Sequence, residues 1–175
     1  MLHLYTNLRQ LPFEQLMTVY EEGNRENGKI LAPFDPEARQ LQLAEEDFHD
    51  YLRAFFAVPG AQYAVWEADG AAVSALRLEP YRDGLLLEAL ETAPQQRRRG
   101  YAMQLIQAVQ QHLEGEGAVR LYSHVSKKNV PSLNVHRRCG FQIIEDCAVY
   151  IDGSVSSRAY TLLYENNFRN FQKSI

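Results

Sequence analysis

The chain is predicted to fold as an α/β protein of the α+β type: a mixed, mostly antiparallel sheet with a parallel, splayed pair of strands at its centre and helices on both faces. Three observations predict this. Apolar residues recur at helical spacing early in the chain and change to strand-like runs from Gln62 onward. Three such runs follow one another across two short turns, Asp69-Gly70 and Arg82-Asp83-Gly84, as in an antiparallel meander. The third run is joined to a fourth by an amphipathic helix, and a strand, helix, strand crossover forces a parallel pair.

The elements follow in order. Leu11 to Tyr20 places Leu11, Phe13, Leu16, Met17 and Tyr20 on one helical face and ends near Gly23. Asn24 to Pro36, polar and punctuated by Gly28, Pro33 and Pro36, reads as a long loop, and a second helix covers about Pro36 to Ala57. The meander strands are Tyr63 to Trp66, Ala72 to Leu78 and Leu85 to Thr92. Tyr101 to Leu113 is the clearest amphipathic helix, with Ala102, Leu105, Ile106, Val109 and Leu113 on one stripe and glycines 115 and 117 to stop it. Val119 to Val125 is a strand; Asn129 to Arg138 is a short helix with Asn129 as N-cap and Gly140 past its end. Phe141 to Ile151 and Ser157 to Tyr164 form a final hairpin that turns near Asp152-Gly153. Where the parallel strands diverge, a cleft opens at their carboxyl ends, beside the turn into the crossover helix. Chemistry is expected there.

Composition narrows the classes. The 175 residues suit one domain spanning 1–175, and 46% hydrophobic with 23% charged residues excludes disorder. The longest apolar runs, such as Ala54 to Val58, are far too short to span a bilayer, so no membrane association is expected. The first residues, MLHLYTNLRQ, lack a secretion signal, and Cys139 and Cys147 form no CxxC, so reduced thiols and a cytoplasmic location are expected. His3, His49, His112 and His124 show no ligand spacing and read as structural; no metal is expected. Eighteen basic and 22 acidic residues give −4, which disfavours nucleic acid. Between Arg97 and Arg138, however, eight bases (Arg97, Arg98, Arg99, Arg120, Lys127, Lys128, Arg137, Arg138) meet two acids, a local +6, so a ligand anionic at one end is expected. An RNA-binding reading of that stretch lacks regularly interleaved aromatics.

The turn into the crossover helix reads Leu90-Glu-Thr92-Ala-Pro94-Gln-Gln-Arg97-Arg-Arg-Gly100-Tyr-Ala102. A helix N-terminus offers free N–H groups and a positive dipole end to phosphate, and the small residues Gly100 and Ala102 leave a bulky anion room to approach. The bland alternative is three solvated arginines at an ordinary helix start. Neither GxGxxG nor GxxxxGK[ST] is matched. The segment resembles the acyl-coenzyme A motif of the GNAT superfamily of N-acetyltransferases. Further on, Asn129-Val-Pro-Ser132-Leu-Asn-Val135-His136-Arg-Arg-Cys-Gly140-Phe141 resembles that family's second motif, N-x-x-A/S-x-x-x-Y/H-x-x-x-G-F.

The resemblance implies acetyl-coenzyme A as cosubstrate and direct transfer to a primary amine of a small molecule or peptide. It implies that the strand end Leu90, Glu91 and Thr92 binds the acyl and pantetheine part through its backbone. Arg97 and the amides of Arg98, Arg99, Gly100, Tyr101 and Ala102 would hold the pyrophosphate, and Asn129 and Ser132 would face the pantetheine arm. Arg98 stands where the family often has glycine, Ala102 replaces the second glycine, and His136 replaces a frequent tyrosine. For a lysine-like amine, being neutral at pH 7 costs roughly 4.6 kcal/mol. Glu88, two residues before Leu90 and on its face unless a bulge intervenes, is the first candidate base; Glu91, on the other face by alternation, is the second. His136 is the candidate acid for the departing thiolate. Tyr150, Tyr160 and Tyr164 are candidates for the acceptor pocket, and acids 21, 22, 26 and 35 point to a cationic acceptor, against the alternative of a solvated acidic face. A non-catalytic acyl-coenzyme A sensor is the alternative, and homodimerisation stays open.

Overall fold

In the computed structural model, which describes residues 1–117 and 119–166, the change of hydrophobic period at Gln62 marks where three helices give way to the strands of the meander. The elements are β1 (Leu2–Tyr5), α1 (Phe13–Val19), α2 (Glu21–Leu31), α3 (Glu37–Phe55), β2 (Gln62–Ala68), β3 (Ala71–Tyr81), β4 (Gly84–Thr92), α4 (Tyr101–Glu116), β5 (Val119–Ser126), α5 (Val130–Arg138), β6 (Gln142–Glu145), β7 (Ala148–Val149), β8 (Val155–Ser156) and β9 (Ala159–Asn166). The main sheet has the order β1-β2-β3-β4-β5-β9-β6. Among the described residues its one parallel pair is β4 with β5; the other neighbours are antiparallel.

The period-2 pattern of the strands explains why both faces are covered. On one face Leu105, Ile106 and Val109 of α4 pack with Ala64, Leu76, Leu78, Leu87 and Leu121. On the other, Leu16 and Val19 of α1 and Leu52 and Phe55 of α3 pack with Tyr63, Val65 and Ala75. No helix among the described residues is long and apolar enough to cross a membrane.

Three expectations are corrected. The stretch read as a loop from Asn24 is helical to Leu31, because α2 meets α3 through polar and backbone contacts that carry no apolar period. Asn27 Nδ2 donates to Asp47 at 2.9 Å, and Gly28 is buried where a Cβ would stand 2.5 Å from the Gln40 carbonyl oxygen. The predicted final hairpin is divided: β9 inserts between β5 and β6, while β7 and β8 form a separate ribbon around the expected Asp152-Gly153 turn. Strand β1 was not anticipated, since its four residues are too few to establish a pattern; it pairs with β2 from Leu2↔Trp66 to Tyr5↔Tyr63.

Gly28 supplies a test of the first correction. In a loop or on an exposed helix face Gly28→Ala would be neutral or stabilising. Against the Gln40 backbone it should instead cost about 1–3 kcal/mol, read as a lower urea midpoint. An unchanged or higher midpoint would contradict the close approach of α2 to α3.

Candidate active site

The parallel pairing of β4 and β5 runs from Leu85↔Leu121 to Leu87↔Ser123 and stops, so the strands diverge beyond it. Directly after the divergence β4 carries an extra residue. Arg77 lies opposite Glu88 but Ala75 lies opposite Glu91, with the irregularity centred on Ala89, whose φ is 49°. The bulge overturns the expected alternation: Glu91, not Leu90, is in phase with Glu88. Leu90 packs toward the α4 cluster, while Ala75 and its partner Glu91 belong to the α1–α3 side.

Neighbouring groups hold this irregular segment. The Tyr20 hydroxyl, at the junction of α1 and α2, donates to the Ala89 carbonyl at 2.8 Å. Burial first, and the neighbouring Tyr63 next, push the Tyr20 phenol well above its ordinary pKa, so it stays a donor. Ser74 Oγ donates to the Glu91 carbonyl at 2.6 Å and lies 3.1 Å from Thr92 Oγ1.

Beyond Thr92 the chain makes one 3-10 turn, Pro94–Gln96, and reaches α4 through two left-handed residues, Arg98 (φ 62°) and Gly100 (φ 82°). Gly100 is the N-cap and makes no side-chain capping bond, which leaves the first amides of α4 open. A Cβ at Gly100 would meet only Gln104 Nε2, at 3.7 Å. The glycine is therefore required by the left-handed backbone, rather than by the space that the sequence argument invoked. Arg97 is anchored: Nε donates to the Thr92 carbonyl at 3.3 Å, and Nη2 pairs with Glu22 at 2.6 Å and reaches Glu91 at 3.8 Å.

These parts enclose a cleft of about 950 Å³. Leu90, Glu91 and Thr92 form one side of it, Arg97, Arg98, Gly100, Tyr101 and Ala102 another, and Asn129 and Ser132 of the α5 turn a third. Arg99, exposed, is the one predicted cofactor residue that does not line it. Asn129 caps α5 as expected, its Oδ1 accepting from the Ser132 amide at 3.1 Å. Sequence reasoning missed the wall residues Met103, Pro131 and Val135 and did not single out Arg138 from the basic stretch; Arg138 adds a cation to the lining. Open amides, a cationic rim and a strand edge that has lost its parallel partner fit the pyrophosphate and the amide-bearing arm of coenzyme A. The bound thioester would supply the activated acyl group.

His136 does not enter this cleft. It is 1% exposed, and both ring nitrogens are engaged. Nδ1 lies 2.8 Å from the Ser132 carbonyl, which can only accept, so Nδ1 carries the proton and Nε2 accepts from Ser123 Oγ at 3.0 Å. Phe141 packs edge-on against the ring. The expected thiolate acid is thus a core histidine with no proton aimed at the cleft. Burial, opposed by the bond to Ser132, lowers its pKa below 6.5. A depressed folded-state value means that the unfolded chain binds more protons below pH 6.5, so stability is lost as pH falls through that value. We expect the urea midpoint to drop between pH 7 and pH 5, and His136→Leu to flatten that slope; equal slopes would contradict a buried neutral imidazole.

On the other face of the splay lies a smaller recess of about 300 Å³, lined by Glu88, Ala89, His124, Tyr150, Arg77 and Arg158 among others. Glu88 is ion-paired with Arg77 at 3.2 Å. Burial first, then the charge of Glu88, raises the pKa of the Glu79 carboxyl above its ordinary range. Of the three tyrosines expected near an acceptor only Tyr150 lines the recess. Lys127 sits over Tyr160, and Tyr164 donates to Glu114. The basic stretch is also less free than its sequence implies. Arg97, Arg120 and Lys127 pair with Glu22, Asp83 and Asp146, all from outside it. Among the described residues no group of His, Cys, Asp and Glu could hold a metal.

The chain as a whole has relatives among known proteins. The acetyltransferase (GNAT) family matches residues 24–141. An aminoglycoside N(6')-acetyltransferase type 1 of Salmonella enteritidis is 30% identical over 150 residues, 80% of this chain and 97% of that protein. Its Salmonella typhimurium counterpart is 32% identical over 132 residues, 70% of this chain and 85% of that one. The crystal structure of PaiA N-acetyltransferase from Thermoplasma acidophilum in complex with coenzyme A shares the fold, with a TM-score of 0.63 at 14% identity over 95% of this chain and 99% of that one. The reading as an enzyme, rather than as a sensor, follows from this kinship. The chain belongs to the GNAT acetyltransferase family, and acetyl-coenzyme A is the cosubstrate from which it transfers an acetyl group.

Proposed function

We propose that this chain, acting as one domain, acetylates a primary amine of an aminoglycoside-like amino sugar by direct transfer. The observation that carries this is the recess at the β4 bulge, where the Glu88 carboxylate lies beside Tyr150 and is next to the Leu90 end of the large cleft. Glu88 offers a negative charge to a cationic acceptor, and Tyr150 offers a surface for a sugar ring. Kinship to the two Salmonella enzymes named for aminoglycoside acetylation supports the substrate class, since the shared identity extends over nearly the whole of one of them. Leu90 lines the cleft and Ala89 the recess, so consecutive residues of one strand separate donor from acceptor, as direct transfer needs.

In this reading the amides from Arg98 to Ala102, with Arg97 and Arg138, hold the pyrophosphate, and Leu90, Thr92, Asn129 and Ser132 hold the arm. The oxyanion of the transition state is met by a backbone N–H near Leu90. Glu88, already bonded to Arg77, orients the ammonium. Two free cysteines, Cys139 and Cys147, support a cytoplasmic location. The test is thiol release from acetyl-coenzyme A with aminoglycosides, polyamines, amino acids and peptide N-termini in parallel. Turnover on aminoglycosides is expected; turnover confined to peptide N-termini would overturn the substrate class.

A further inference from the structure

The recess contains an imidazole with nothing to bond. His124 follows Ser123, the last β5 residue paired with β4, and so occupies the first position of the splay, next to Glu88 across the gap. Both ring nitrogens are inaccessible to water, and neither has a hydrogen-bond partner among the described residues. The ring is clamped edge-on between Tyr81, at 5.4 Å and 88°, and Tyr150, at 5.2 Å and 82°. A buried polar group without a partner is costly, and one whose plane is fixed at the wall of a polar recess awaits a donor.

We propose that His124 is the group that accepts the proton of the incoming acceptor ammonium. This deepens the proposed function and rests on the recess being the acceptor side. In the step, one N–H bond of R–NH3+ breaks and a ring N–H bond forms. The products are R–NH2, with its lone pair free to attack, and an imidazolium; because both ring nitrogens are closed to solvent at rest, the amine reaches one of them, and the proton later leaves, as Tyr150 at the recess swings off the ring. Glu88 is less suited to this, because Arg77 already engages its carboxylate. Its charge instead stabilises the imidazolium.

The surroundings leave the ring neutral at pH 7. Burial lowers its pKa below 6.5, Glu88 on β4 and Glu145 on β6 raise it, and Arg82 in the β3–β4 turn lowers it. Arg77 of β3 and Arg158 share the recess, and Tyr81 and Tyr150 flank the ring.

The test compares wild type with His124→Gln across pH, using kanamycin or, if kanamycin is not acetylated, the best amine of the screen. The variant's kcat should be lower by about 10²-fold at pH 7, and the gap should narrow to a few fold at alkaline pH, where the amine loses its proton unaided. Coenzyme A affinity should be unchanged, since His124 does not line the large cleft. A second measurement needs neither turnover nor a variant: in wild type without acetyl-coenzyme A, the His124 ring nitrogens followed by NMR should titrate below pH 6.5 and shift when the same amine is added. Equal pH profiles, or ring nitrogens indifferent to the amine, would overturn the proposal. Activity on another amine but not on aminoglycosides would overturn only the substrate class, and no turnover on any amine would overturn both.

Discussion

Ala102→Glu is expected to raise the dissociation constant for coenzyme A at least tenfold while leaving the protein as stable as before or slightly more so. Ala102 lies in the first turn of α4 and lines the large cleft. A carboxylate there places charge and bulk among the open amides, and about 1.4 kcal/mol suffices for a tenfold loss. The same charge at a helix N-terminus favours the helix by about 0.3–1 kcal/mol, so binding and folding should move in opposite directions. Gly100→Glu is a less clean probe. At φ 82° any side chain adds about 1–2 kcal/mol of backbone strain, and a loss of affinity there would be mixed with a loss of stability. Titration calorimetry and thermal melts on the Ala102 variant decide the matter. Unchanged affinity in a folded protein would mean that the pyrophosphate does not lie at α4.

Tyr20→Phe should lower kcat by roughly ten- to a hundredfold, with coenzyme A affinity within a few fold of wild type. Ala89 holds a left-handed backbone that a non-glycine residue keeps only under constraint, and the Tyr20 hydroxyl on its carbonyl is that constraint. Removing the hydroxyl leaves the carbonyl without this partner, at a cost of about 1–3 kcal/mol, and lets β4 relax toward regular alternation. Relaxation would turn the amide near Leu90 away from the developing oxyanion, and losing one such donor is worth roughly 10²–10³ in rate. If conformation is the cause, Tyr20→Phe combined with Ala89→Gly should recover part of the rate, because glycine holds φ 49° without strain. Full activity of Tyr20→Phe would show that the bulge needs no external hold.

Much of this was legible in the chain itself, but not uniformly. The meander, the crossover and α4 were readable because apolar periodicity and Gly-containing turns are local signals. The helix α2 was not, because its inner face is Asn27 and Gly28, and a glycine that admits a neighbouring backbone looks like one that breaks a helix. Nor was the divided hairpin: the return of β9 between β5 and β6 is a pairing between residues such as Val125 and Tyr160, far apart in sequence.

At the candidate site, most residues that line the large cleft were legible in the sequence. Anion binding at a helix start depends on consecutive backbone amides, and consecutive residues announce it; all but Arg99 of the residues so chosen line the cleft. Which residues face the smaller recess was decided by tertiary structure alone. One extra residue at Ala89 changed which of Glu88, Leu90 and Glu91 share a face. Burial turned His136 from candidate acid into core, while the splay left His124, read as structural, with two nitrogens that have no partner among the described residues. Residue types announce which protons can move; only the packing of distant strands and helices decides which of those groups has a bond left to make.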